Sequence, residues 1–212
     1  VIEFPLSTFD EEVRDTLISL LHEAIQNVNQ ETIPSIDKIT EHHLPPLQSR
    51  GLRGYYGIYH SRFSDLMRLI SKPIFNLIYN TSELSSSLDS VALSPPTVSS
   101  VRNDNWLHVD QGPNTPGKCF QGTLYIHGGA TSRWARVAQH VCWMPIANRE
   151  EGVRDRMIAL RYSGASSNHW ASKGCQNMKP VPSFRPPPKS HLKVYIPDRE
   201  TDEFFDQLVP PN

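Results

Sequence analysis

The residues best suited to chemistry stand in the tripeptide His108-Val109-Asp110. On a β-strand side chains alternate, so residues two apart project from the same face. An imidazole and a carboxylate would therefore stand side by side. One further imidazole would complete a face of an octahedral ion and leave the opposite positions open, an arrangement that suits ferrous ion. His127, in His127-Gly128-Gly129, is the candidate for that imidazole, and Arg136 follows it at a distance that places it on the next strand. A guanidinium can hold the carboxylate of a cosubstrate through two parallel hydrogen bonds, whereas a lysine offers only a point charge. His169, much farther along the chain from Asp110 than His127 is, is the alternative third ligand. No arginine stands behind it as Arg136 stands behind His127, since Arg185 falls within the proline-rich stretch and Lys173 follows almost at once. Each motif also has a plainer reading. His-x-Asp can be a strand-edge pair in water, His-Gly-Gly a turn, and Arg136 a surface residue.

Positioning such a group takes a framework of strands with helical support, and the hydrophobic pattern supplies both. Thr8 can cap a helix with Glu11 in a capping box, and Val13, Leu17, Leu20, Leu21, Ala24, Ile25 and Val28 follow at helical spacing. Pro45-Pro46, Gly51 and Gly54 break the chain before Tyr55-Tyr56-Gly57-Ile58-Tyr59. Phe63, Leu66, Met67 and Ile70 predict a second helix, and Pro73 is placed to open a third that carries Leu77 and Ile78. From Asn80 to Ser100 short apolar alternations among serines predict strands and turns, continued by strands at Trp106–Asp110, Phe120–Ile126 and Val137–Trp143. Asn148, with Glu151 as the matching acidic partner, is positioned to cap a helix whose face is Val153, Met157 and Leu160. The prolines clustered between Lys179 and Pro188 predict an extended arm, and Thr201–Leu208 a short closing helix.

Composition narrows the field. The 212 residues carry 21 basic and 22 acidic side chains, a net charge of −1, with no long block of like charge, so neither a nucleic-acid groove nor an acidic lipid surface is expected. No apolar run approaches the roughly 18 residues of a spanning helix. The opening Val1-Ile2-Glu3-Phe4-Pro5 lacks a signal-like block, which predicts a soluble, intracellular protein. Cys119, Cys142 and Cys175 fit neither a disulfide framework nor a zinc pair and are expected as free thiols. A Gly-x-Ser-x-Gly elbow and phosphate-cradling glycine loops are both missing, which argues against a hydrolase or a nucleotide-phosphate site. His60 and His140 are expected in structural hydrogen bonds. His22, in the first helix, and His42-His43, in a polar loop, are not expected as ligands. Tyr55, Tyr56, Tyr59 and Arg62 could line an entrance or pack under the first helix.

Taken in order, these segments resemble the phytanoyl-CoA dioxygenase-like family of iron(II)/2-oxoglutarate-dependent oxygenases. Gly57–Phe63 and Leu84–Pro96 are similar to its leading segments, Trp106-Leu107-His108-Val109-Asp110-Gln111-Gly112 to its metal strand, and Cys119–Leu124 to the strand after. His127 to Arg136 and Ala138–Pro145 resemble the segment of the distal histidine and the cosubstrate arginine, and Ser167-Asn168-His169-Trp170 a tail of one branch. The resemblance implies a mainly β fold with flanking helices: a double-stranded β-helix, or jelly-roll, with N-terminal helices packed on one sheet. It divides a single domain, 1–212, into helical support (1–80), β core (81–145) and a C-terminal helix with the proline arm (146–212). It implies iron held by His108, Asp110 and His127, 2-oxoglutarate held by Arg136, dioxygen as oxidant, and a small-molecule substrate oxidised with release of succinate and carbon dioxide. The path from Asp110 to His127 is short for that fold. At ~3.3 Å per residue it makes one hairpin at best, so a segment is expected to be missing near Ile126-His127. The competing expectation is a non-catalytic β-sandwich binding or scaffold protein derived from the same fold.

Overall fold

The computed structural model describes residues 11–46, 52–53, 56–94, 119–127, 136–167 and 190–211. Helix α1 (Glu11–Val28) buries Leu17, Leu21, Ala24, Ile25 and Val28, so the expected stripe is present from its second turn, with Val13 exposed. Its proposed cap, Thr8, lies outside the described residues. The chain after α1 is folded back on the helix by polar side chains from its last turns. His22 Nε2 donates to the Ile33 carbonyl (2.8 Å), Gln26 Oε1 accepts from the Ile33 N–H (2.8 Å), and buried Asn29 donates to the Ile25 and His43 carbonyls (2.7 Å each). These bonds satisfy backbone groups at the helix end and beyond it, and they seat Ile33, Ile39 and Leu44 against α1.

Helix α2 (Arg62–Tyr79) starts at Ser61, whose hydroxyl accepts from the Ser64 N–H, and stops at Asn80 in the left-handed conformation. Pro73 was expected to open a separate helix, yet α2 runs through it unbroken. The proline ring sits on the exposed side, where water can serve the carbonyl that loses its partner, while Phe63, Met67 and Phe75 keep one buried face on both sides of it. Leu77 and Ile78 consequently face outward.

The strands are β1 (Leu52–Arg53), β2 (Leu84–Ser86), β3 (Val91–Ser94), β4 (Phe120–His127) and β5 (Arg136–Pro145), all antiparallel in one open sheet. Strand β5 is its axis. It pairs with β4 along one side and with β3 and then β2 along the other, and β1 lies outside β3. Between β2 and β3 the stretch 87–90 stands against 140–142 of β5, so the strand carries one extra residue as a bulge. The bulge is pinned from three sides. Ser167 exchanges two bonds with Leu88 (2.7 and 2.9 Å), Arg68 Nη2 donates to the Asp89 carbonyl (2.8 Å), and Gln139 donates to the Ser90 carbonyl (3.3 Å).

Val137, Val141 and Trp143 of β5 pack toward the helices. Val137 joins the core of α1 and α2, whereas Val141 and Trp143 join a second core with Phe75, Leu84 and helices α3 (Val153–Arg161) and α4 (Phe205–Leu208). The apolar face expected for α3 is buried, but its cap differs. Gly152, at φ +72°, precedes the helix, and Asn148 instead closes a 3₁₀ turn. The fold is therefore α+β, with helices packed on one face of a small antiparallel sheet. A second sheet facing the first is not among the described residues, although Ala138, Cys142 and Met144 on the far side of β5 are also buried. None of the described helices is long and apolar enough to cross a membrane.

A buried charge cluster locks α2, α3 and the C-terminal segment together. Asp65 accepts from Arg68 Nη1 (3.1 Å) and from both terminal nitrogens of Arg161 (3.0 and 2.7 Å). Arg161 also forks onto Asp202, which accepts from the Tyr162 hydroxyl (3.1 Å). Burial works against the Arg161 charge, but Asp65 and Asp202 more than offset it and hold its pKa above the ordinary value. Burial brings Arg68 down to about 10, still charged at neutral pH. His60 sits beside this cluster with Nε2 donating to the Ala165 carbonyl (2.9 Å), a structural bond as expected. Burial, together with Arg161 and Arg68, holds its imidazole well below the usual histidine range.

Asp65→Asn leaves two guanidinium groups short of countercharge and should cost about 3–5 kcal/mol in urea unfolding. Arg62→Ala, which breaks the exposed pair with Glu203 and takes the guanidinium off the Phe204 ring, should cost only about 1 kcal/mol. Because the unfolded chain protonates His60 at its ordinary pKa and the folded chain resists, that contribution to stability is complete above about pH 6.5 and falls with acidification below it, by up to about 1.4 kcal/mol per pH unit. His60→Gln should remove that part of the slope when unfolding is followed between pH 7.5 and 5; equal slopes in the two proteins would refute it.

Candidate functional site

Two of the candidate residues, His127 and Arg136, lie at the end of the sheet where β4 finishes and β5 begins. His127 is the last residue of β4 and pairs with Val137; Arg136 is the first of β5 and pairs with Ser94. The two backbones thus stand on neighbouring strands at the same sheet end. Strand β4 passes directly through Ile126-His127, and its one register shift falls between Tyr125 and His127. His108 and Asp110 lie outside the described residues, as do His169, Cys175, Tyr55 and the proline arm. The structure accordingly brings the His127 and Arg136 backbones onto neighbouring strands, and His108 and Asp110 are not among the described residues.

What holds this end of the sheet is clearer. Leu93 and Val137 are buried against α1 and the loop after it, where they close on Leu21, Ile25, Ile39 and Leu44. Gly122, opposite Val141, lies where α2 approaches. A Cβ there would stand 3.1 Å from Val141 Cγ2, tighter than ordinary contact, and 3.8 Å from the Phe75 ring, an ordinary contact, so an added side chain would first crowd Val141. Toward the other end Trp143 is fully buried, its indole N–H donating to Ser71 Oγ (3.0 Å), with the Lys72 ammonium 5.2 Å above the ring.

Across the strand pair, Gln121, Thr123 and Tyr125 of β4 are exposed opposite Cys142, His140 and Ala138. His140 is half-buried there. Cys119, just before β4, lies with its Sγ 3.3 Å from Cys142 Sγ, and both are free thiols, as expected. Tyr79 approaches the same corner, where its hydroxyl accepts from the Phe120 N–H (3.2 Å), and burial pushes its phenol up to about 12, so it stays neutral.

Tyr59 is not at an entrance. It is buried in the first core with its hydroxyl donating to the Gly164 carbonyl (2.7 Å), and Tyr56 packs beside it, which decides both in favour of packing. Arg62 is exposed and reaches Glu203 (3.4 Å). One constellation was not expected at all. Glu31, His42 and His191 converge, each offering a donor atom within 4.8 Å of the others. Their separations of 11 and 149 residues correspond to no ligand spacing, so no motif could have flagged them.

Comparison with known proteins adds no relative: no family model, no curated protein and no solved structure matches the chain.

The thiol pair makes a direct prediction. Treatment with diamide, which takes up the two hydrogens, should join Cys119 to Cys142 and remove two alkylatable thiols per chain. Cys142→Ser should abolish that loss; full alkylation of the oxidised protein would show that the two sulfurs do not meet in solution.

Proposed function

We propose that the chain is an iron(II)/2-oxoglutarate-dependent oxygenase, with His108, Asp110 and His127 holding the metal, Arg136 holding 2-oxoglutarate, and a small organic molecule as substrate. The reading rests on the ordered motifs, and it is supported by the placement of His127 and Arg136 on adjacent strands at one sheet end. Two imidazoles and one carboxylate form a donor set that ferrous ion accepts while keeping positions for other ligands. When bound, iron and cosubstrate would supply the oxidising chemistry: substrate C–H, 2-oxoglutarate and O₂ become C–OH, succinate and carbon dioxide. Arg136 would orient the cosubstrate by pairing its distal carboxylate in the forked geometry that only a guanidinium offers. The sheet would carry both partners on a stiff two-strand ladder, so that a shift of one would move the other.

A jelly-roll core belongs to this proposal and needs a second sheet. The stretch from Asp110 to His127 is too short to build it, so the proposal also expects the expressed polypeptide to carry additional residues near Ile126-His127, readable from its intact mass. The rival reading, a non-catalytic binding or scaffold protein, draws support from the openness of the described sheet.

The experiment that separates them is a melting curve with manganese(II) and 2-oxoglutarate, followed by iron-dependent succinate release. An oxygenase gains stability from both ligands by linkage. His108→Ala, Asp110→Ala and His127→Ala should each abolish succinate release. Arg136→Ala should chiefly raise the 2-oxoglutarate requirement, and His169→Ala should leave turnover measurable. Unchanged melting in the wild type, or loss of turnover through His169 rather than His127, would reject the assignment as drawn.

A further inference from the structure

Three chain segments meet at the surface beyond the end of α1, and they meet through backbone bonds. The Gln30 N–H donates to the His191 carbonyl (2.8 Å) and the Lys193 N–H to the Val28 carbonyl (2.9 Å), flanking a bridge between Asn29 and Leu192. The Gln30 side chain adds a bond to the Ser190 carbonyl (3.0 Å), and Asn29 holds the His43 carbonyl (2.7 Å). This framework delivers one carboxylate and two imidazoles to the same spot. His42 Nε2 is 3.0 Å from Glu31 Oε2, and the His42 and His191 rings stack at 3.9 Å, 14° from parallel. His191 Nε2 donates to the His42 carbonyl (2.7 Å).

From this geometry we infer that Glu31, His42 and His191 form a binding site for a divalent transition-metal ion of the zinc class. The ion would clasp the segment around His191 to the loop after α1. The donor chemistry is that of three-ligand zinc sites, two neutral imidazoles and a carboxylate with a fourth position for water. Because His191 spends its Nε2–H on a carbonyl, its lone pair is on Nδ1. A backbone acceptor fixing the tautomer of a ligating histidine is a recurrent outer-shell device. One ring nitrogen of each histidine and a Glu31 carboxylate oxygen already lie within 4.8 Å of one another. Ligand pairs around a tetrahedral zinc, with bonds of about 2.0–2.1 Å, are separated by little more than about 3 Å. Binding therefore asks only that the stacked rings fan apart about their soft terminal torsions, with the ion replacing the Glu31–His42 hydrogen bond. The site uses none of the proposed iron ligands and does not depend on that reading.

The test titrates the full chain, stripped of metal, with zinc(II) in an Asp110→Ala background so that the proposed iron site is disabled. One zinc per chain should bind and raise the melting temperature. Adding His42→Ala or His191→Ala should weaken binding by more than the roughly tenfold to hundredfold typical of losing an outer-shell partner. Hydrogen exchange supplies the readout of the clasp: the Gln30 and Lys193 amides should become more protected when zinc is added. Absence of zinc binding in the Asp110→Ala protein, binding unaltered by either histidine substitution, or unchanged protection at those two amides would each overturn the inference.

Discussion

The architecture depends on a carboxylate with no access to water. Burial raises the Asp65 pKa, and the convergence of Arg161 and Arg68 opposes that shift and favours its charged form, while Asp202 takes the remaining donors of Arg161 in the same interior. Two positive and two negative groups balance. Such a cluster contributes little net stability compared with apolar packing of equal volume, yet it is unforgiving of displacement, since any member left behind is a buried unpaired charge. Its effect is therefore geometric. It sets α2 against the end of α3 and fixes where the C-terminal segment passes over both. Through Arg68, which also donates to the Tyr59 and Asp89 carbonyls (2.8 Å each), it fixes the bulge between β2 and β3.

The bulge passes this constraint on to the sheet. One extra residue opposite β5 changes which side chains of the broken strand face inward, so β2 and β3 can each present a buried face to a different core. Gln139, buried in mid-strand between Val137 and Val141, would be an expensive guest among apolar neighbours. Its amide nitrogen donates to the Ser90 carbonyl (3.3 Å), a second clamp on the bulge, and to the neighbouring His140 carbonyl (2.8 Å), which together offset part of that cost. The register of β3 on β5 is thereby set, and with it the end of the sheet where His127 and Arg136 stand.

What the sequence made legible is what depends on near neighbours. The stripe of α1, the strands β4 and β5 and the buried face of α3 follow from periodicity that a short window contains. Pro73 misled because a helix can absorb one proline on its wet side when the apolar stripe on either side stays in phase. Gly152 displaced Asn148 as the cap because a left-handed turn brought the chain into α3, a backbone property that a side-chain signal does not report. The charge cluster joins residues 96 and 41 positions apart, and the Glu31, His42 and His191 group spans still more. No local pattern carries such pairings, so they had to come from the fold. The proposed iron site divides in the same way. Its donor types were read from motifs, whereas their convergence depends on strand pairing, which is settled only for the β4 and β5 side.

The sheet itself still makes a demand. Among the described residues β4 pairs only with β5, and Phe120 and Tyr125 on it are exposed. A strand with an open hydrogen-bonding side and exposed aromatics invites pairing with another chain unless it is covered or interrupted. The register shift beside Ile126 interrupts the ladder at one end only, leaving residues 120–125 regular. Meanwhile Ala138, Cys142 and Met144 are buried on the face of β5 turned away from the helices, so that face is already treated as interior. A sheet that is dry on both faces at its centre and open at its β4 side is the geometry to which further antiparallel strands would add. Strands added there would lengthen the same layer that begins with Arg136 and ends with His127. The edge that needs protection and the chemistry proposed for this end of the sheet would make the same demand on the chain.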